Sequence, residues 1–184
     1  RAIVTAFHCY TPFGTQFYEP ILDYFLQQIR RYEDEYDMVY LIDSNWDIER
    51  SPKIASRKIT LIHVNPSLRY YDAYKEVLPQ IKEDLVLFMD NDCIVYKPNV
   101  INKTFYLLGA TDIKETINYI DVVSIYDTIG TYKTDKLNDK NKFCPYWFAT
   151  RKELLMKYRD CEWGPNMPEH ETLGKLTEKM LEDR

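Results

Sequence analysis

Apolar positions along this chain alternate between strand-like runs and helical stripes. Ala2 to Phe7 is an apolar run with a single threonine, the pattern of a strand buried on both faces. A loop over 8–14 follows, broken by Pro12 and Gly14. Phe17, Tyr18, Ile21, Leu22, Phe25, Leu26 and Ile29 then recur at helical spacing and predict an amphipathic helix over 15–31. Strand-like runs return over 36–42 and 58–64, closing at Asp43-Ser44-Asn45 and at Asn65-Pro66. Tyr70, Ala73, Tyr74, Val77, Leu78 and Ile81 outline a second helix. Pro79 ends or bends it late, because the proline ring removes a backbone hydrogen bond. The run Leu85-Val86-Leu87-Phe88-Met89 comes next, a strand for the middle of a sheet. The order strand–helix–strand–strand–helix–strand predicts the α/β class, with a central, mostly parallel sheet flanked by helices.

Beyond 92 the pattern loosens. A helix is predicted over 99–108, a strand over 121–126, a short strand over 146–149 and a helix from Arg151. Leu173, Leu176, Met180 and Leu181 share one face of a last helix. The segment 130–142 is rich in Lys, Asp and Asn and reads as a mobile loop, either a lid over a ligand or a plain surface connection. No internal repeat and no second domain emerges, and 184 residues suffice for one domain with a substantial core.

Composition narrows the classes. With 45% hydrophobic and 29% charged residues the chain reads as an ordinary soluble globular protein. A net charge of -5 and the lack of a long basic stripe argue against general nucleic-acid binding, without excluding an anionic substrate. Sixteen tyrosines against five glycines favour side chains with buried rings and hydroxyls that still find polar partners. Cys9, Cys93, Cys144 and Cys161 are scattered without a CxxC pair, which suits reduced thiols better than a zinc module or a disulfide framework. No apolar stretch is long enough to span a membrane. The chain opens Arg1-Ala2-Ile3-Val4 straight into a strand with no signal-peptide pattern, which gives the expectation of a cytoplasmic protein, membrane-peripheral at most. The missing leading methionine leaves room for residues upstream.

The candidate chemistry sits where the fourth strand stops, at Asp90-Asn91-Asp92. Two carboxylates this close repel, and burying them unpaired is costly. A divalent cation removes both objections, and its remaining coordination positions suit phosphate oxygens. An EF-hand does not fit: counted from Asp90, the turn glycine and closing glutamate are replaced by Val95 and Ile101. Two other readings stay open at this level. One is a structural turn; the other is a HAD-like phosphatase or phosphotransferase with an aspartate nucleophile, although that motif belongs on a first strand and before a hydroxyl residue.

Several features in order give a family likeness. Ile3-Val4-Thr5-Ala6-Phe7, Tyr40-Leu41-Ile42-Asp43-Ser44-Asn45 and Leu87-Phe88-Met89-Asp90-Asn91-Asp92 together resemble the GT-A class of nucleotide-sugar glycosyltransferases, over most of the chain. The resemblance implies a GT-A-like fold in one domain over 1–184, with a nucleotide-sugar-binding half over about 1–92 and an acceptor-side half over about 93–184. It implies transfer of a sugar from a UDP- or GDP-sugar donor to a hydroxyl acceptor such as a glycan, lipid or protein. It implies Mn²⁺ or Mg²⁺ as cofactor, bound to the second aspartate, Asp92, directly, with Asp90 nearer the ribose or a metal-bound water. The end of the first strand, Thr5, Ala6, Phe7 and His8, would cradle the nucleotide. Asp43 would take a hydroxyl or a ring N–H, and Arg69 would lie near the nucleotide; the residues by themselves equally fit a strand-ending turn at Asp43-Ser44-Asn45, a solvated surface arginine at 69 and a plain loop histidine at 8.

On the acceptor side the resemblance points to Glu171 and Glu169, ahead of the last helix, as candidate catalytic bases, and to His170 as a further metal ligand. Acidic residues in a first helical turn also complement the helix dipole, so both readings stand. Trp147 and Trp163 are candidates for stacking on a sugar face, against the usual fate of tryptophan in a core. A sugar nucleotidyltransferase would share the architecture but carries a glycine-rich basic loop after its first strand, which this chain lacks. A non-catalytic nucleotide-sugar-binding protein on the same scaffold is a further alternative.

Overall fold

A computed structural model describes residues 1–8, 14–44, 56–108, 122–124, 147–164 and 174–183, with the side chains of 8, 14–19, 122–124, 177, 178 and 181 outside the description. The elements in order are β1 (Ala2–His8), α1 (Gly14–Arg31), β2 (Met38–Ser44), β3 (Ile59–His63), α2 (Tyr70–Val77), β4 (Leu85–Met89), α3 (Val100–Leu107), β5 (Val122–Ser124), β6 (Trp147–Arg151), α4 (Lys152–Lys157) and α5 (Gly174–Glu182). They build a six-stranded sheet in the order β3-β2-β1-β4-β6-β5. The first four strands are mutually parallel, and β6 runs antiparallel between β4 and β5.

The two long crossovers explain the layering. The step from β1 to β2 moves one way across the sheet, and the step from β3 to β4 returns past β1 the other way. Because such crossovers are right-handed, opposite directions put α1 and α2 on opposite faces. β1 therefore lies between two cores and is buried from Ala2 to Phe7. Ile3 and Phe7 face α1, where Leu22, Phe25, Leu26 and Ile29 cover them. Ala2, Val4 and Ala6 face α2, and their small size admits Tyr71, Tyr74 and Val77. Burial on both faces is why β1, β2 and β4 read as continuous apolar runs instead of alternating ones.

The helices follow their sequence signals. Of the α1 stripe, Ile21, Leu22, Phe25, Leu26 and Ile29 pack as their spacing requires, with Pro20 exposed in the second turn. Pro79 falls in a 3₁₀ turn, Leu78–Gln80, directly after α2. α3 starts at Asn99, which has φ 65°, and the buried Glu35 carboxylate accepts the backbone N–H groups of Asn99 at 2.7 Å and Asn102 at 3.1 Å. That carboxylate satisfies amides the helix cannot, and its charge complements the helix N-terminus. Neither Cys93 nor Cys161 is in a disulfide. Among the described residues, no helix is long and apolar enough to cross a membrane.

Candidate functional site

The carboxyl ends of β1, β2, β3 and β4 open on one edge of the sheet because these strands are parallel. Between β1 and β4 the winding reverses, and open α/β sheets take ligands in the crevice at such a reversal. Asp90-Asn91-Asp92 leaves β4 at this point. The Cys93 N–H donates to the Asp90 carbonyl at 3.1 Å, closing a turn across Asn91 and Asp92. Asn91 Nδ2 donates to the Ala6 carbonyl at 2.9 Å, which ties the turn to β1. From α1, Gln28 Nε2 donates to the Cys93 carbonyl at 2.7 Å while its Oε1 accepts the Val95 N–H. The Tyr32 hydroxyl donates to the Val95 carbonyl at 3.1 Å. The turn is thus held from β1 and from α1.

Its two carboxylates have different surroundings. Asp92 is exposed, whereas Asp90 is half-buried. Asp90 Oδ1 accepts a hydrogen bond from the Tyr70 hydroxyl, which in turn accepts one from Tyr74. Both phenols are pushed well above their ordinary value, chiefly by burial, with the negative charge of Asp90 adding to it. They therefore remain protonated donors at neutral pH.

The other predicted residues divide by what they touch. The side chains of Thr5, Ala6 and Phe7 belong to the core, with Phe7 edge-on to Phe25 at 5.8 Å. What Thr5, Ala6 and Phe7 offer the crevice is their backbone; the Ala6 carbonyl already takes Asn91. Thr5 Oγ1 is buried with no hydrogen-bond partner among the described residues. The backbone of His8 pairs with Ser44, and its side chain is outside the described residues. Asp43 ends β2 only 1% exposed, its Oδ2 lying 3.2 Å from Nδ1 of His63, a half-exposed residue at the end of β3. Arg69 precedes α2, pairs with Asp72 at 2.9 Å and lies over the Tyr71 ring at 4.5 Å. Trp147 and Trp163 are buried, and their Nε1 atoms donate to Thr104 at 3.2 Å and to the Tyr158 carbonyl at 2.8 Å. Both tryptophans are core residues, which removes them as sugar-stacking surfaces.

Glu169, His170 and Glu171 lie outside the described residues, as does 130–142. The residues on either side of 165–173 are described. Lys175 N–H donates to the Gly164 carbonyl at 3.0 Å, and Lys175 Nζ pairs with Glu162 at 2.6 Å. Gly164 packs against Tyr71, so closely that a Cβ there would meet the Tyr71 hydroxyl at 2.9 Å. Gly164, and Lys175 through it, are therefore tied to Tyr71 in the first turn of α2.

Sequence reasoning missed Tyr70, Tyr74, Gln28, Asn91 and His63. In the sequence Tyr70 and Tyr74 read only as part of an apolar helical stripe. Their spacing of four residues on the helix that leads into the acidic strand was the available signal. Gln28 lies on α1 at a distance of 65 residues from Cys93, and nothing local marks it.

The oxygens of Asp90 and Asp92 are hard donors that suit Mn²⁺ or Mg²⁺. Among the described residues no group of three or more His, Cys, Asp or Glu side chains converges. Two carboxylates completed by water and phosphate oxygens are nevertheless a usual donor set for Mg²⁺. A shallow depression lined by Leu85, Asn99, Asn102, Phe105 and Tyr106 lies toward the opposite edge, where β4 begins, away from these carboxylates.

No protein-family model and no curated protein sequence matches the chain. Solved structures do. A mannosyltransferase from Pyrobaculum calidifontis, in complex with GDP-Man and Mn²⁺, is 15% identical with a TM-score of 0.50, over 85% of this chain and 45% of that one. Glucosyl-3-phosphoglycerate synthase from Mycobacterium tuberculosis, in complex with Mn²⁺, UDP-Glc and phosphoglyceric acid, is 16% identical with a TM-score of 0.57, over 84% of this chain and 57% of that one. A cytidylyltransferase from Leptospira borgpetersenii is 11% identical with a TM-score of 0.59, over 98% of this chain and 71% of that one. The chain spans about half the length of the two glycosyltransferases. At these identities the likeness is one of fold: a mixed α/β, GT-A-like architecture common to nucleotide-sugar transferases and nucleotidyltransferases.

Proposed function

We propose that this chain is a metal-dependent glycosyltransferase that moves a sugar from a UDP- or GDP-sugar to a hydroxyl acceptor. The observation that carries the reading is the Asp90–Asp92 turn at the winding reversal of a GT-A-like sheet, held from both β1 and α1. Asp90 and Asp92 would hold Mn²⁺ or Mg²⁺, which supplies Lewis-acid stabilisation of the negative charge that develops on a departing diphosphate. Asp92, exposed in the turn, is assigned the direct ligand role, and Asp90 the role nearer the ribose. The backbone at the end of β1, with Asp43 and His63 farther along the edge, would receive the nucleoside.

Glu171 or Glu169 would take the proton of the acceptor hydroxyl, a role that requires a carboxylate on the far side of the reacting carbon from the diphosphate. What supports this is that Gly164, to which the Lys175 N–H bonds, lies against Tyr71 of α2, the helix whose Tyr70 meets Asp90. His170 is a further candidate ligand from the same segment.

Cytidyl transfer is the competing reading, raised by the Leptospira neighbour. Against it, His8-Cys9-Tyr10-Thr11-Pro12-Phe13-Gly14 after β1 holds one glycine and no lysine or arginine to receive a triphosphate.

Titration calorimetry with UDP-Glc, GDP-Man and CTP, with and without Mn²⁺, tests the proposal. Manganese-dependent binding of a nucleotide sugar is expected in the wild type, abolished in Asp92→Ala and weakened in Asp90→Ala, with both variants folded. Glu171→Gln or Glu169→Gln should abolish transfer while nucleotide binding survives. Manganese-independent binding, or preference for CTP over both sugar nucleotides, overturns it.

A further inference from the structure

The hydrogen-bonded pair Tyr70–Tyr74 does more than fill space between α2 and the sheet. The two residues are one helical turn apart, so their rings share a face, with centroids 4.5 Å apart at 67°. Tyr74 sits edge-on to Phe88 of β4 at 4.5 Å, and Phe88 stacks on Phe148 of β6 at 4.7 Å and 11°. These four rings form a column that begins in the middle of the sheet and ends at the Asp90 carboxylate. A phenol has one proton to donate. Since the Tyr74 hydroxyl donates to the Tyr70 oxygen, the Tyr70 proton is directed to Asp90 Oδ1.

We infer that Tyr70 is a positioning residue, which, braced by Tyr74, fixes the orientation of the Asp90 carboxylate for metal-dependent nucleotide binding. The Tyr70 bond is a restraint on the rotamer of Asp90, and rotamer freedom removed before binding is not lost from ligand affinity. The aromatic column orders it in advance, and the bond is charge-assisted, hence stronger than one between neutral groups. Had the phenols needed only to satisfy each other, no contact with a carboxylate of the turn would be required. The inference rests on the reading of Asp90 and Asp92 given above.

Calorimetric titration of Tyr70→Phe with UDP-Glc and GDP-Man tests it, each in Mn²⁺ and in EDTA. Manganese-dependent affinity should fall about tenfold, the scale of a lost hydrogen bond to a charged group, with binding in EDTA unchanged. In an Asp90→Asn background the same substitution should add little, because the oriented group is already altered. Tyr74→Phe keeps the Tyr70 hydroxyl, should fall less, and carries the test if Tyr70→Phe does not fold. Unchanged manganese-dependent affinity in the folded variants overturns the inference. So does an equal loss in EDTA, which marks a structural role only, or a full further loss in the Asp90→Asn background. Failure of the wild type to bind either nucleotide in a manganese-dependent way rejects the functional reading itself, and this inference with it.

Discussion

Replacing Gln28 by alanine should loosen the carboxylate turn from a distance. Gln28 is 6% exposed and uses both ends of its amide, donating to the Cys93 carbonyl at 2.7 Å and accepting the Val95 N–H. Val95 is itself 6% exposed, so water does not readily replace the lost acceptor. An ordinary hydrogen bond is worth about 1 kcal/mol net, and an orphaned buried donor costs about 1–3 kcal/mol. The two effects together predict a loss of about 2–4 kcal/mol. Against a total stability of about 5–15 kcal/mol that is a large fraction, and it corresponds to a melting-temperature drop on the order of 10 °C for a chain of this size. Urea denaturation measures the loss, and hydrogen exchange at the Val95 amide locates it. Gln28→Glu sharpens the test: its carboxylate still accepts from Val95 but faces the Cys93 carbonyl without a proton to donate. Val95 protection should survive in Gln28→Glu and fail in Gln28→Ala, while both lose stability. A change below about 0.5 kcal/mol in Gln28→Ala, the level of an inert surface substitution, would refute the argument. So would Val95 protection equal to that of the wild type.

Two further predictions concern pH. Lys175, hydrogen-bonded to Glu162, holds that carboxyl below its ordinary value of 4.5. A depressed carboxylate contributes stability that is present above its unfolded value and lost as pH falls through the folded one, so exchange in α5 should rise on acidification below about pH 4.5, and Glu162→Gln should abolish that dependence. Burial pushes the Tyr36 phenol up to about 12, where its hydroxyl donates to the Ile29 carbonyl at 2.8 Å. A raised value contributes stability that is complete below the unfolded value and lost as pH rises, so between about pH 10 and about pH 12 the urea midpoint should fall more steeply in wild type than in Tyr36→Phe; parallel curves would disprove the assignment.

Local pattern determined the first half of this protein closely. Burial on both faces makes a strand apolar throughout, so β1, β2 and β4 announced their place in a parallel sheet. The stripe over 15–31 announced α1, and Pro79 marked the end of α2. The acidic stop at Asp90-Asn91-Asp92 was legible for the same reason, because a buried run cannot continue into two charges. What the sequence could not state was which distant groups meet. β6 enters between β4 and β5 and runs antiparallel to both, a long-range pairing that no local pattern encodes. Asp43 finds His63, Asn91 finds Ala6, and Gln28 finds Cys93 and Val95, the last three separated by 85, 65 and 67 residues. Each is a polar group that must be satisfied once burial removes water, and its partner is whichever group the crossovers bring alongside. Tyr70 and Tyr74 show the division within single side chains. Their rings were placed by helical periodicity, while their hydroxyls acquired a task only when α2 packed against the end of β4.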